Sequence, residues 1–160
     1  MLATKKQQAL RVACVTAVLL GATGGIAFAA ESVESVIKAR QQHLKDVGAA
    51  FKSIRDETRK SAPEMAQIQT AAGTIAKAST QIDTWFPKGS GPESKLETDA
   101  KSEIWSDPQG FAAAAKTLKE EAPKLQQLAA ANDLTGVKAQ VGKLGGACKG
   151  CHDKFRVPQD

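Results

Sequence analysis

Tyrosine is absent from this chain of 160 residues, and Phe and Trp together make up only 4% of it. A core filled mainly by aromatic bulk is excluded, and some other volume has to take its place. Histidine occurs twice and cysteine three times. With so few nitrogen and sulfur donors a four-ligand zinc site is hard to assemble. No run of Lys and Arg is interleaved with aromatics, so nucleic-acid binding lacks an electrostatic footprint. The sequence sets up neither a nucleophile with its base nor a pair of carboxylates, and an enzyme is not expected. Sustained strand-type alternation is also missing, which leaves helix as the regular structure.

The N-terminal segment is set aside first. Residues 1–29 open with Lys5, Lys6 and Arg11, continue through the apolar run VACVTAVLLGATGGIAFA, and end in Ala27-Phe28-Ala29, a small-x-small cleavage pattern. They read as a cleaved secretory signal followed by one domain over residues 30–160. Cys14 has no Leu-containing lipobox before it and leaves with the signal. Without Lys5, Lys6 and Arg11, the 22 basic residues set against 17 acidic ones fall to a net charge near +2. Export into the periplasm is expected, with no membrane insertion after cleavage. Two unligated cysteines would not stay reduced there.

Four amphipathic helices follow. The first spans about 31–60, with Val33, Ile37, Arg40, Leu44, Val47, Phe51 and Ile54 on one stripe. The second begins near Ala62, with Pro63 in its first turn, and closes on Trp85 and Phe86. PKGSGPESKLETDAKSEIWSD, residues 87–107, is one long connection. The third helix starts at Asp107-Pro108, carries Phe111, Ala115, Leu118, Ala122, Leu125 and Leu128, and should kink at Pro123. The fourth runs from Leu134 through Val137, Val141, Leu144, Cys148 and Cys151 to Phe155. The fold class is all-α, an antiparallel four-helix bundle. Alanines at 112–115 and 129–131 leave its interior thin.

Near the end the chain reads CKGCHDKFR, in which Cys148, Cys151 and His152 stand at i, i+3 and i+4. Their side chains share one helix face, where a single flat ligand meets all three. In an exported protein, C-x-x-C-H is the attachment pattern of c-type haem, with two thioethers from the cysteines and His152 as the metal ligand. A zinc site would find only His43 besides these residues, and a thioredoxin-like pair expects βαβ surroundings. A structural disulfide would leave His152 and the thin core unexplained.

The chain resembles the cytochrome c′ family, the exported four-helix-bundle c-type cytochromes with one haem near the C-terminus. KARQQHLKDVG, WFPKGSGPE, SEIWSDPQGF and GGACKGCHDKFR carry the resemblance, which covers essentially the whole mature chain. It implies an antiparallel bundle, often a homodimer, holding one covalent haem c. It also implies that Arg40 and Gln41 sit at the haem edge, with Asp99 and its neighbour Thr98 approaching the same edge. A buried cation needs a partner, and a haem propionate supplies one for Arg40; the alternative is a side chain that snorkels to solvent.

The resemblance puts the distal residue four positions after the arginine, at Leu44. Relatives with Met there resemble six-coordinate electron carriers, whereas Leu or Phe leaves iron five-coordinate. The expected function is therefore a mono-haem, one-electron protein with a five-coordinate, high-spin iron open to small gases such as NO or CO. Redox proteins are its expected partners. The alternative is a low-spin carrier with His43 or Met65 as sixth ligand. A disulfide-stapled helical interaction module is the non-haem reading.

Overall fold

The computed structural model describes residues 32–158. The expected signal segment, with Cys14, lies outside the described residues. Five helices follow in order: α1 (Val33–Glu57), α2 (Met65–Ser79), the short α3 (Glu103–Ser106), α4 (Pro108–Ala130) and α5 (Leu134–Phe155), with 3₁₀ turns at Ile82–Trp85 and Pro92–Ser94. No strand occurs among the described residues, and none of their helices is long and apolar enough to cross a membrane.

Local chemistry sets the helix ends. Ser32 caps α1 by accepting from the Ser35 N–H, Asp107 caps α4 through Gly110, and Asp133 caps α5 through Gly136. Pro108 opens α4 at a position that needs no N–H, and α4 continues without a break through Pro123. The second helix starts three residues later than its sequence suggests. Ala62 precedes a proline and is biased away from helix. The buried Glu57 carboxylate then takes the Glu64 N–H at 3.0 Å, so the helix forms only from Met65. At its other end α2 stops at Ser79, and Trp85 closes a separate 3₁₀ turn.

Antiparallel packing joins α1 to α2, α2 to α4, and α4 to α5. Cross-helix bonds fix the levels. Gln69 of α2 reaches the Ala129 carbonyl, Gln140 of α5 reaches Glu121, and Lys154 pairs with Asp107. Ile54, Ile68, Ile75, Leu125, Val137 and Leu144 are fully buried between the four long helices, where truncating an Ile or Leu to Ala costs roughly 2–5 kcal/mol.

The alanine runs do not open the interior as expected. Residues in a run point all round a helix, so Ala112, Ala113, Ala130 and Ala131 are exposed, and only Ala115 and Ala129 are buried. Ala71 and Ala72 share the core with Ala115, Ala122 and Ala129 and let α2 and α4 lie close together. The loose side is elsewhere. α1 and α5 scarcely meet, and along that seam Leu44, Val47 and Phe51 are only half-buried.

Candidate haem site

A glycine of α5 meets α1 across this seam. A Cβ built on Gly145 of α5 would lie 3.4 Å from Cζ of Phe51 on α1, so these residues face each other. Seven residues is two helical turns, which returns a side chain to nearly the same flank. Seven residues before Phe51 is Leu44, and seven after Gly145 is His152. Because the helices are antiparallel, both steps lead toward the same end of the bundle. Leu44 and His152 therefore stand level with each other, on flanks that look into the same seam.

The cysteines flank that position. Both are half-buried rather than fully buried: Cys148 packs against the main core, as Leu44, Val47 and Phe51 do, and Cys151 against a second cluster of Ala100, Ile104, Phe111 and Phe155. Phe86 packs against both clusters. The two sulfurs are not bonded to each other, as expected where i and i+3 Cβ atoms sit about 5–6 Å apart on a helix. Burial raises the Cys148 thiol, and burial together with Cys148 pushes Cys151 up to about 11. That is opposite to the depressed thiol of a redox pair. Partial desolvation, with the Arg156 cation nearby, lowers the exposed His152 imidazole against the pull of Asp153, which favours the neutral ring that binds metals.

Arg40 does not snorkel. It is 2% exposed, and its guanidinium lies 4.9 Å from the centroid of Phe86. Nη1 donates to Ser90 Oγ at 2.8 Å, and Nη2 donates to the Ser90 carbonyl at 2.9 Å and to Thr98 Oγ1 at 2.8 Å. Every one of these acceptors is neutral. Burial lowers the Arg40 pKa and Glu93 opposes this from a distance, but among the described residues Arg40 makes no ion pair. A buried cation without a counter-ion fits a carboxylate-bearing group such as a haem propionate.

The other sequence-selected residues have plain positions. Gln41 Nε2 donates to the Glu97 carbonyl at 3.2 Å, beside Thr98. Asp99 is exposed; its carbonyl takes the Val157 N–H at 2.8 Å, and its carboxylate is 3.5 Å from Arg156. It ties the connection to the end of α5, and the backbone makes the closer bond. His43 is exposed and stacks on Trp85 with centroids 4.8 Å apart, turned toward the segment that follows α2. Met65 starts α2 beside Glu57 and Glu64, at the opposite end of the bundle. With a rise of 1.5 Å per residue, that end is about 20 Å from the level of Leu44.

Sequence reasoning missed Ser90 and Phe86, which hold Arg40, and the Phe51–Gly145 contact. Ser90 is 1% exposed although it lies in a Gly- and Pro-rich stretch. Both neighbouring glycines are needed there. Gly89 has φ +86°, and a Cβ on Gly91 would lie 2.5 Å from the Trp105 ring.

The family profile of cytochrome c′ matches residues 35–156, which takes in Arg40, the connection and the whole C-x-x-C-H turn. The chain belongs to the cytochrome c′ family. It is 37% identical over 123 residues to cytochrome c′ of Rubrivivax gelatinosus, covering 75% of this chain and 92% of that protein. Among solved structures it is similar to a cytochrome c′ described as having a ligand-controlled dimer dissociation, with TM-score 0.75 and 25% identity over 81% of this chain and all of that one. It is also similar to a ferrous variant of the Alcaligenes xylosoxidans protein with bound NO, with TM-score 0.71 and 28% identity over 80% of this chain and 98% of that one. These cytochrome c′ neighbours have the four-helix bundle seen here, and membership implies a covalently bound c-type haem.

Proposed function

We propose that the protein is an exported, periplasmic one-electron cytochrome whose single haem c is held in the seam between α1 and α5 and has an open sixth position. The observation that carries this reading is the approach of Phe51 to Gly145, from which the helical period puts Leu44 level with His152 on the seam where the two helix backbones scarcely meet. When bound, haem c supplies a one-electron centre and an iron that takes small ligands.

Each residue then has a distinct task. Cys148 and Cys151 fix the group to α5, and the neutral His152 imidazole binds the metal from the same helix face. Arg40, with Gln41 and Thr98 beside it, would receive a propionate and add an anionic acceptor to its neutral ones. Asp99 serves through its backbone, since its carboxylate would repel a propionate.

Leu44 offers hydrocarbon to the opposite face. It cannot ligate a metal, and it makes a charged ligand lose hydration without compensation. Neutral diatomics such as NO and CO are therefore admitted and anions are disfavoured. The Alcaligenes neighbour with bound NO supports this reading. His43 stacked on Trp85 and Met65 at the far end weigh against the six-coordinate alternative. Homodimer formation belongs to the same proposal, supported by the neighbour described as a ligand-controlled dimer. Titrating the ferrous protein with CO tests the open site: a saturable change in the Soret band supports it, and an unchanged spectrum refutes it.

A further inference from the structure

We propose that the Phe51–Gly145 contact is the spacer that sets the width of the α1–α5 seam, and that it thereby governs how readily a small ligand displaces Leu44. This rests on the haem reading above and deepens it by naming a second determinant of ligand admission, two helical turns from the distal residue.

The seam is unlike the other three. α2 and α4 close on facing alanines, α4 and α5 are tied by Gln140 to Glu121 and by Lys154 to Asp107, and α1 and α2 are tied by Glu57 to the Glu64 N–H. Between α1 and α5 the backbones scarcely approach, and the Phe51 ring faces a residue with no side chain. A glycine there has no conformational reason, since Gly145 lies in mid-helix without a positive φ. Its reason is steric. An alanine Cβ at 3.4 Å from Phe51 Cζ would just fit, whereas the γ-methyl groups of a valine reach further toward the ring and require movement.

Two things limit the direction of that movement. Gly145 is flanked by Leu144, fully buried, and Ala147, 8% exposed, so α5 is held by the core. Phe51 is half-buried and sits between Val47 and Ile54, of which Ile54 is fully buried. Displacement falls on the stretch of α1 from Leu44 to Phe51, where Leu44 and Val47 are only half-buried and Lys45, Asp46, Gly48 and Ala49 are exposed. A wedge at Gly145 thus lifts Leu44 away from the seam, while shortening Phe51 lets α1 settle inward.

The test uses the haem-loaded protein and four variants: Gly145→Ala, Gly145→Val, Phe51→Leu and the double variant Gly145→Val with Phe51→Leu. Stopped-flow CO binding to the ferrous form is read beside hydrogen exchange of the 40–51 segment, which senses the seam independently of ligand binding. Gly145→Val should bind CO about tenfold faster, equivalent to about 1.4 kcal/mol off the barrier, with faster exchange in α1. Gly145→Ala should change both readouts in the same direction by less, and it serves alone if the valine variant does not fold. Phe51→Leu alone should slow binding by less than about twofold, so additive effects would leave the double variant at least about fivefold faster than the parent, whereas the spacer predicts a rate close to the parent, the non-additivity of two residues in contact. Unchanged CO rates and exchange in Gly145→Ala and Gly145→Val, or additive effects in the double variant, would overturn the spacer. A parent protein that lacks covalent haem overturns the underlying reading instead, so the two failures are distinct.

Discussion

Arg40 holds Ser90 twice, at its hydroxyl by 2.8 Å and at its carbonyl by 2.9 Å, and so anchors a long connection to the first helix through one buried cation. Ser90 Oγ in turn donates to the Pro87 carbonyl at 2.8 Å, and Trp105 Nε1 donates to the Phe86 and Pro87 carbonyls. The connection is ordered by buried hydrogen bonds where regular helix is short.

Arg40→Leu should keep the covalent haem but leave the buried Ser90 hydroxyl and carbonyl without their Arg40 donor, at a cost of roughly 1–3 kcal/mol for each buried group left unpaired. Thermal unfolding measures this part. Removing a cation beside a propionate also raises that carboxylate's pKa and leaves more negative charge near the iron, so the reduction potential should fall and its pH dependence should move upward. An unchanged potential across neutral pH would detach Arg40 from the haem.

Leu44→Ala should speed CO binding by removing the hydrocarbon that an incoming ligand displaces. Leu44→Met places a thioether at the same position and should convert the iron to a six-coordinate, low-spin state. Optical spectra of the two variants, with CO kinetics for the first, check both outcomes.

Mass spectrometry of periplasmic material should find a polypeptide that begins near Ala30 and carries one haem through Cys148 and Cys151. A mass equal to that of the bare polypeptide would remove the basis of the proposed function.

Glu121 predicts an acid limb of stability. Lys124 at 2.6 Å and Gln140 at 2.6 Å hold its carboxylate below its ordinary 4.5. A depressed folded pKa contributes stability that is present above the unfolded value and is lost as pH falls through the folded one. Glu121→Gln should therefore lower the melting temperature at pH 7 and converge on the parent as pH falls below the ordinary 4.5, which flattens the acid limb.

How far the sequence could be read depends on the kind of interaction. The apolar period gave α4 and α5 almost to the residue, because Asp107-Pro108 and Asp133 are local caps that need no tertiary partner. On α1 the same stripe is only partly buried: Ile37, Arg40 and Ile54 are covered, whereas Val33 is 42% exposed and Leu44, Val47 and Phe51 border the open seam. A periodic pattern shows which face turns inward, not whether another helix covers it. The late start of α2 depends on Glu57 reaching Glu64, and the burial of Ser90 depends on an arginine fifty residues away. Neither leaves a trace in local composition. C-x-x-C-H pointed to the family because two thiols and an imidazole on one turn suggest haem attachment without the rest of the fold.

The central claim is an open iron between His152 and Leu44, and the electron paramagnetic resonance and optical spectra of the ferric protein at neutral pH test it most directly. They should show a high-spin, five-coordinate signal that His43→Ala leaves unchanged, because His43 is engaged with Trp85 outside the seam. A low-spin spectrum that His43→Ala converts to high-spin would contradict it and make the protein a six-coordinate electron carrier.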